Sequence, residues 1–106
     1  MQIMDMNAAA FAKAVQEEKR TALVEFWAPW CVYCRRIGPA LEQIAQQRQE
    51  DLLFARVNLD DEAALAEKCG VEVVPTLLLM RGGQTAATLT APQTKAQIDR
   101  FLDENL

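Results

Sequence analysis

Trp27-Ala28-Pro29-Trp30-Cys31-Val32-Tyr33-Cys34 sets two cysteines either side of a two-residue spacer, where an apolar strand hands over to a helix. The strand is read over residues 21–27, Thr-Ala-Leu-Val-Glu-Phe-Trp, and the helix over residues 34–49, where Ile37, Leu41, Ile44 and Ala45 recur at helical spacing. A cysteine in the first turn of a helix faces unpaired backbone N–H groups and the positive end of the helix dipole. Both favour thiolate over thiol, and the thiolate is the nucleophile. Cys34 comes three positions later, so both sulfurs share one side of that turn and can close a small disulfide. The arrangement suits the movement of two electrons between dithiol and disulfide.

Outward from this stretch the chain alternates. Residues 2–5 read as a short edge strand. Asn7 is placed to cap a helix over residues 8–18, with Ala8, Phe11, Ala12 and Val15 as its apolar stripe. The strand at 21–27 is nearly continuous apolar, as expected where both faces are covered. Pro39 falls inside the long helix and is expected to kink it. A strand over 52–59 follows, then a helix over 62–68 capped by Asp60 or Asp61 and stopped by Gly70. Residues 76–80 read as a buried strand, Gly82-Gly83 as a tight hairpin turn, and 84–89 as the returning strand. Thr94 and Gln97 form a capping box for the last helix, which turns Ile98, Phe101 and Leu102 inward. The order β-α-β-α-β-α-β-β-α predicts an α/β fold. Its mixed five-stranded sheet is parallel where strands and helices alternate and antiparallel at the hairpin, with four helices over both faces.

The 106 residues suffice for one domain, 1–106, with a real hydrophobic core, and the 51% apolar content is that of a globular chain. A net charge of −4 argues against nucleic acid as a partner. There is no histidine, which excludes imidazole metal sites and histidine-based triads. Three cysteines in this length do not make a disulfide scaffold. Zinc needs four ligands, so within one chain the cysteines supply only part of a site, although a metal shared across a dimer stays open. No stretch approaches the ~20 apolar residues of a membrane span, and the start has no basic region followed by an apolar run. A cytoplasmic location is expected; a mature form that had lost a signal peptide would read the same.

The chain resembles the thioredoxin family almost end to end. The residues that carry the likeness are Phe26-Trp27-Ala28-Pro29-Trp30-Cys31-x-x-Cys34, Pro39, Val57-Asn58-Leu59-Asp60, Gly70-Val71-x-x-Val74-Pro75-Thr76, Gly82-Gly83 and the closing Phe101-Leu102-Asp103-Glu104-Asn105-Leu106. The resemblance implies the thioredoxin fold and a protein thiol–disulfide oxidoreductase that reduces protein disulfides and maintains cell redox balance. It implies no bound cofactor and no metal. An upstream reductase of the thioredoxin-reductase type would restore the dithiol of a monomer that binds neither nucleic acid nor membrane. Cys31 would attack and Cys34 resolve, with Cys31 nearer the exposed lip and Cys34 more buried. The Val74–Pro75 bond would be cis and lie against the cysteines. Val74, Pro75 and Trp30 would then meet the substrate, the backbone of Val74 by strand addition.

Glu25 breaks the apolar strand on the face shared by Leu23 and Trp27. A buried, unpaired carboxylate is costly, so Glu25 should be neutral, paired or beside water. In the family this position usually holds a buried Asp that relays the proton of the resolving cysteine, which makes Glu25 a candidate for the same task. Arg56 stands where a Lys is common and is a candidate partner for Glu25; a satisfied ion pair without a functional role is the other reading. Cys69, outside the motif, reads as a small buried apolar residue rather than a regulatory thiol.

Two stretches depart from the family. Leu89-Thr90-Ala91-Pro92 replaces a common Val-Gly-Ala. Val32-Tyr33 replaces the usual Gly-Pro; a Tyr there is seen in glutaredoxins and some disulfide isomerases, so an isomerase or a glutathione-linked oxidoreductase is the nearest alternative. A non-enzymatic binding module is the alternative of another class. Val32-Tyr33 also offers two N–H groups between the cysteines where Gly-Pro offers one. A second donor at the Cys31 sulfur predicts a more oxidising disulfide, by roughly 20 mV.

Overall fold

The computed structural model describes residues 3–106. Strands β1 (Ile3–Asp5), β2 (Ala22–Trp27), β3 (Leu53–Asn58), β4 (Thr76–Arg81) and β5 (Gln84–Thr90) form one sheet in the order β1-β3-β2-β4-β5. β1, β3 and β2 run parallel, while β4 is antiparallel to β2, and β5 to β4. Gln2, assigned to the first strand from sequence, lies outside the described residues. The helices are α1 (Ala8–Phe11), α2 (Val32–Arg48), α3 (Ala63–Lys68) and α4 (Lys95–Asn105). The thioredoxin fold expected from the sequence is present.

The two-residue period of β2 sorts its side chains between two cores. Ala22, Val24 and Phe26 join Phe11, Val15, Leu65 and Ala66 beneath α1 and α3. Leu23 joins Ile37, Leu41, Ile44, Ile98 and Leu102 beneath α2 and α4. Each fully buried Leu or Phe here contributes on the order of 2 kcal/mol. Central β2 is thus fixed from both sides, and the loop that follows it, bearing the cysteines, leaves a rigid platform.

Local signals hold at most element ends. Asn7 Oδ1 accepts the Ala10 N–H at 2.9 Å. The Thr94 hydroxyl accepts from the Gln97 N–H while the Gln97 side chain accepts from the Thr94 N–H, completing the capping box. Gly70 has φ +72°, the Gly70 N–H bonds Glu67 O, and the Val71 N–H bonds Ala66 O. This pair of bonds is the Schellman close of α3, for which glycine carries no Cβ penalty. Gly82 and Gly83 both have positive φ, +63° and +82°, as a two-residue hairpin turn matched to strand twist demands.

Three expectations need correction. The first helix is α-helical only over Ala8–Phe11; Ala12–Glu17 is π-helical, and the segment closes with the Arg20 N–H on Ala14 O and Lys19 at φ 55°. Phe11 and Val15 still point inward four residues apart, so the apolar stripe does not distinguish the two windings. Neither Asp60 nor Asp61 caps α3. Its N-cap is Glu62, with no side-chain hydrogen bond, because the turn is closed by the Asp61 and Glu62 N–H groups on Asn58 O. Finally, α2 starts at Val32 rather than Cys34; Pro39 lies inside it, as expected.

Candidate active site

Cys31 is the N-cap of α2, in extended backbone, and its sulfur accepts the Cys34 N–H at 3.1 Å. The Cys31 thiol faces Val74 O at 3.7 Å. Val74 precedes Pro75 in the segment that leads into β4, and the bond between them is cis, as the resemblance implied. The sequence thus brings together three points 40 or more residues apart in two cases: the end of β2, the start of α2 and the Val74–Pro75 step. The N–H of Val74 has no backbone partner among the described residues.

The expected contrast in accessibility between the two cysteines is slight: Cys31 is 5% exposed and Cys34 3%. Their difference is electrostatic. Burial pushes the Cys34 thiol up to about 12, reinforced by its hydrogen bond to Cys31 and by the charges of Cys31 and Glu25, against one lowering backbone bond from Ala28. Cys34 is therefore held as a thiol at neutral pH. The second backbone donor expected from the Val32-Tyr33 spacer is also absent: among the described residues the N–H that reaches the Cys31 sulfur belongs to Cys34, not to Tyr33. The first-turn geometry that makes Cys31 the cap aims the third residue's N–H at its sulfur. The premise of the 20 mV expectation thus fails.

Glu25 is 3% exposed, in the middle of β2. Burial raises its pKa from 4.5 to about 7, with Arg56 pulling the other way. Arg56 lies directly across on β3, its Nε 3.8 Å from Glu25 Oε1, too far for a hydrogen bond. Glu25 Oε2 and Arg56 Nε are buried without a hydrogen-bond partner. The guanidinium instead lies over the Trp27 ring, 4.1 Å from its centroid, a cation–π contact. The satisfied ion pair considered from sequence is thus not what the structure holds. A loosely paired carboxyl with a pKa near neutrality stands within the electrostatic reach of Cys34.

Trp30 is 63% exposed, and its indole N–H donates to Asp60 Oδ1 at 3.1 Å. Arg35 reaches back to Pro29 O at 3.0 Å and pins the loop before Cys31. Cys69 is half-buried against the core beneath α3, and burial raises its thiol. Among the described residues no group of three or more Cys, Asp or Glu side chains is disposed to hold a metal ion.

A family model described as Thioredoxin matches residues 2–104. The chain belongs to the thioredoxin family. Its similarity to individual thioredoxins covers nearly its whole length. Thioredoxin 1 of Synechococcus elongatus is 35% identical over 98 residues, 92% of each chain. The thioredoxin of Pseudomonas aeruginosa is 34% identical over 98% of this chain and 96% of its own. That of Haemophilus influenzae is 32% identical over 99% and 98%. As in the family, the chemistry is thiol–disulfide exchange, and the isomerase, glutathione-linked and non-enzymatic alternatives are not favoured. No helix among the described residues is long and apolar enough to cross a membrane.

Sequence reasoning missed two members of this thioredoxin site. Asp60 was read as a helix cap and is instead the acceptor for Trp30. Trp27 was read only as part of the motif and as sharing a strand face with Glu25, and is the platform for Arg56. Neither carries a local signal: one contact spans 30 residues and the other joins neighbouring strands.

Proposed function

We propose that the chain is a protein-disulfide reductase in which Cys31 attacks, Cys34 resolves and Glu25 receives the resolving proton. The observation that carries the assignment is the asymmetry at the helix start. The Cys31 sulfur accepts the Cys34 N–H and looks out at Val74, whereas Cys34, raised to about 12, holds its proton. The Cys31 thiolate attacks one substrate sulfur, forming a mixed disulfide and releasing the other as a thiolate. Cys34 then passes its proton to the Glu25 carboxylate, and its sulfur attacks Cys31. The Cys31–Cys34 disulfide forms, and the second substrate sulfur leaves and takes up a proton. Two electrons pass to the substrate, whose two thiolates take up one proton that originates on Cys34 and passes by way of Glu25 and one from solvent; an external dithiol returns the electrons to the enzyme. A substrate segment pairs with the free N–H of Val74, beside Pro75 and Trp30, as an added strand. The reading includes a monomeric, cytoplasmic protein recycled by a thioredoxin-reductase-type flavoenzyme.

Reduction of insulin disulfides tests this. Turnover is expected with dithiothreitol and with a thioredoxin reductase plus its nicotinamide donor, and not with glutathione alone. Turnover driven by glutathione but not by the reductase would overturn the recycling assignment.

A further inference from the structure

We propose that this protein selects, among disulfides its dithiol can reach, those flanked by Lys or Arg, through a carboxylate-walled groove that opens beside Trp30. The inference rests on the reductase reading and concerns the chemistry of its substrate. Among the described residues six large apolar side chains are well exposed, and four of them sit next to the reacting groups: Trp30 at 63%, Tyr33 at 58%, Val73 at 50% and Val32 at 45%. Apolar side chains gathered at one place on a small surface mark where another molecule sits. Beyond Trp30 the surface is not neutral. Asp60 accepts the Trp30 indole N–H at 3.1 Å, and Asp60 is also a wall of a groove of about 490 Å³. Ala63, Ala66 and Val71 line the groove with apolar surface, while Asp60, Glu67 and Glu72 supply its charge; no Lys or Arg lines it.

The distribution of charge along the chain says the same. Residues 60–72 hold five carboxylates, Asp60, Asp61, Glu62, Glu67 and Glu72, against the single cation Lys68. Their sum, −4, equals the net charge of the whole protein, so the other 93 residues balance. The entire excess therefore lies on α3 and its flanks, next to Trp30 and to the segment carrying Val74. Charge–charge interactions reach roughly 10 Å at 0.1 M salt, and Glu72 stands only two residues before Val74 in the chain. The carboxylates are spread along a groove rather than gathered as metal ligands, so the field fits amines and guanidinium groups along an extended segment. A basic segment is drawn toward Trp30 and an acidic one is repelled, which acts on the rate of encounter more than on the chemical step.

Three peptides with one intramolecular disulfide, identical except for Lys, Glu or Ser around the accepting cysteine, test the proposal with the reduced full-length protein. At low ionic strength the Lys peptide is expected to be reduced about tenfold faster than the Glu peptide. In 0.5 M salt the two should converge. Glu67→Lys combined with Glu72→Lys should bring the ratio to one or invert it at low salt. Equal rates for Lys and Glu peptides in the wild type, or a preference that survives both salt and charge reversal, would overturn the proposal. The Ser peptide separates the two levels of inference: failure to reduce it at all overturns the reductase reading itself, whereas normal reduction of Ser, Lys and Glu peptides alike overturns only the selection by charge.

Discussion

Cys31 and Cys69 both stand at helix ends, but at opposite ones. Cys31 caps the N-terminus of α2, where its sulfur receives a backbone N–H. Cys69 is the C-cap of α3, at the negative end of that helix; its own N–H is spent on Leu65 O, and burial raises its thiol. Accessibility ranks the two the wrong way round for a nucleophile, since Cys69 is the more exposed. The difference lies in which polar groups are aimed at the sulfur. A thiol at the start of a helix meets donors that can hold a thiolate; a thiol at its close meets carbonyls that cannot.

The sharpest test of this contrast is removal of each thiol at the N-terminal end. Cys31→Ser should abolish insulin reduction. Cys34→Ser should retain the attack and accumulate mixed disulfides with substrate, visible on non-reducing gels. Trapping by Cys31→Ser instead would reverse the two roles.

Glu25→Gln is the next largest. At pH 8 it should slow resolution of the mixed disulfide by about tenfold, ~1.4 kcal/mol of barrier, with little effect on its formation. The wild-type resolution rate should rise through a midpoint near pH 7, and the variant should lose that step. Equal single-turnover rates would reduce Glu25 to a structural residue. The same carboxyl carries a stability signature. It ionises near 4.5 when unfolded and about 7 when folded, so the folded state holds the proton longer. Stability is unaffected below 4.5, falls as pH rises through 7, and above that bears a cost on the order of 3 kcal/mol. Thermal melts should show Glu25→Gln gaining on wild type between pH 4.5 and 8.

A smaller effect belongs to Arg56, a positioning residue. Its charge lowers the Glu25 pKa, so Arg56→Met should move the pH midpoint of resolution upward, while Arg56→Lys restores part of the shift. A midpoint that stays put or drops would detach Arg56 from the reaction. Cys69→Ser should change turnover least, by well under tenfold. A larger loss in a folded variant would erase the contrast between the two helix ends.

Most of the fold was legible because its signals are local. Asn7, Thr94 with Gln97, Gly70 and Gly82-Gly83 each act within four residues, and each does what its chemistry requires. Glu25 was legible as a site residue for the opposite reason: a carboxylate in an apolar strand has no packing rationale. The miscapped α3 shows the limit. Asp60 and Asp61 are good caps, but Asn58 supplies both a side-chain acceptor for the Asp60 N–H and a backbone carbonyl for the Asp61 and Glu62 N–H groups, which fixes the turn before either Asp can act. The stacking of Arg56 on Trp27 depends on strand register, and spacing along the chain does not encode which aromatic lies diagonally across.

The C-terminal end of α2 is held as firmly as its first turn is exposed to chemistry. Arg48, its last residue, is paired with Asp99 and Asp103 of α4. Seventeen residues of helix span about 25 Å, nearly the full width of a molecule 30 Å across. Amide hydrogen exchange should therefore divide along this one helix. When Cys31 is committed to a covalent bond, its sulfur is no longer a thiolate and becomes a weaker acceptor for the Cys34 amide, whose protection should fall. The amides near Arg48, clamped by ions that take no part in electron transfer, keep theirs. The helix thus carries its own internal reference: one pole registers the oxidation state and the other records only whether the protein is folded.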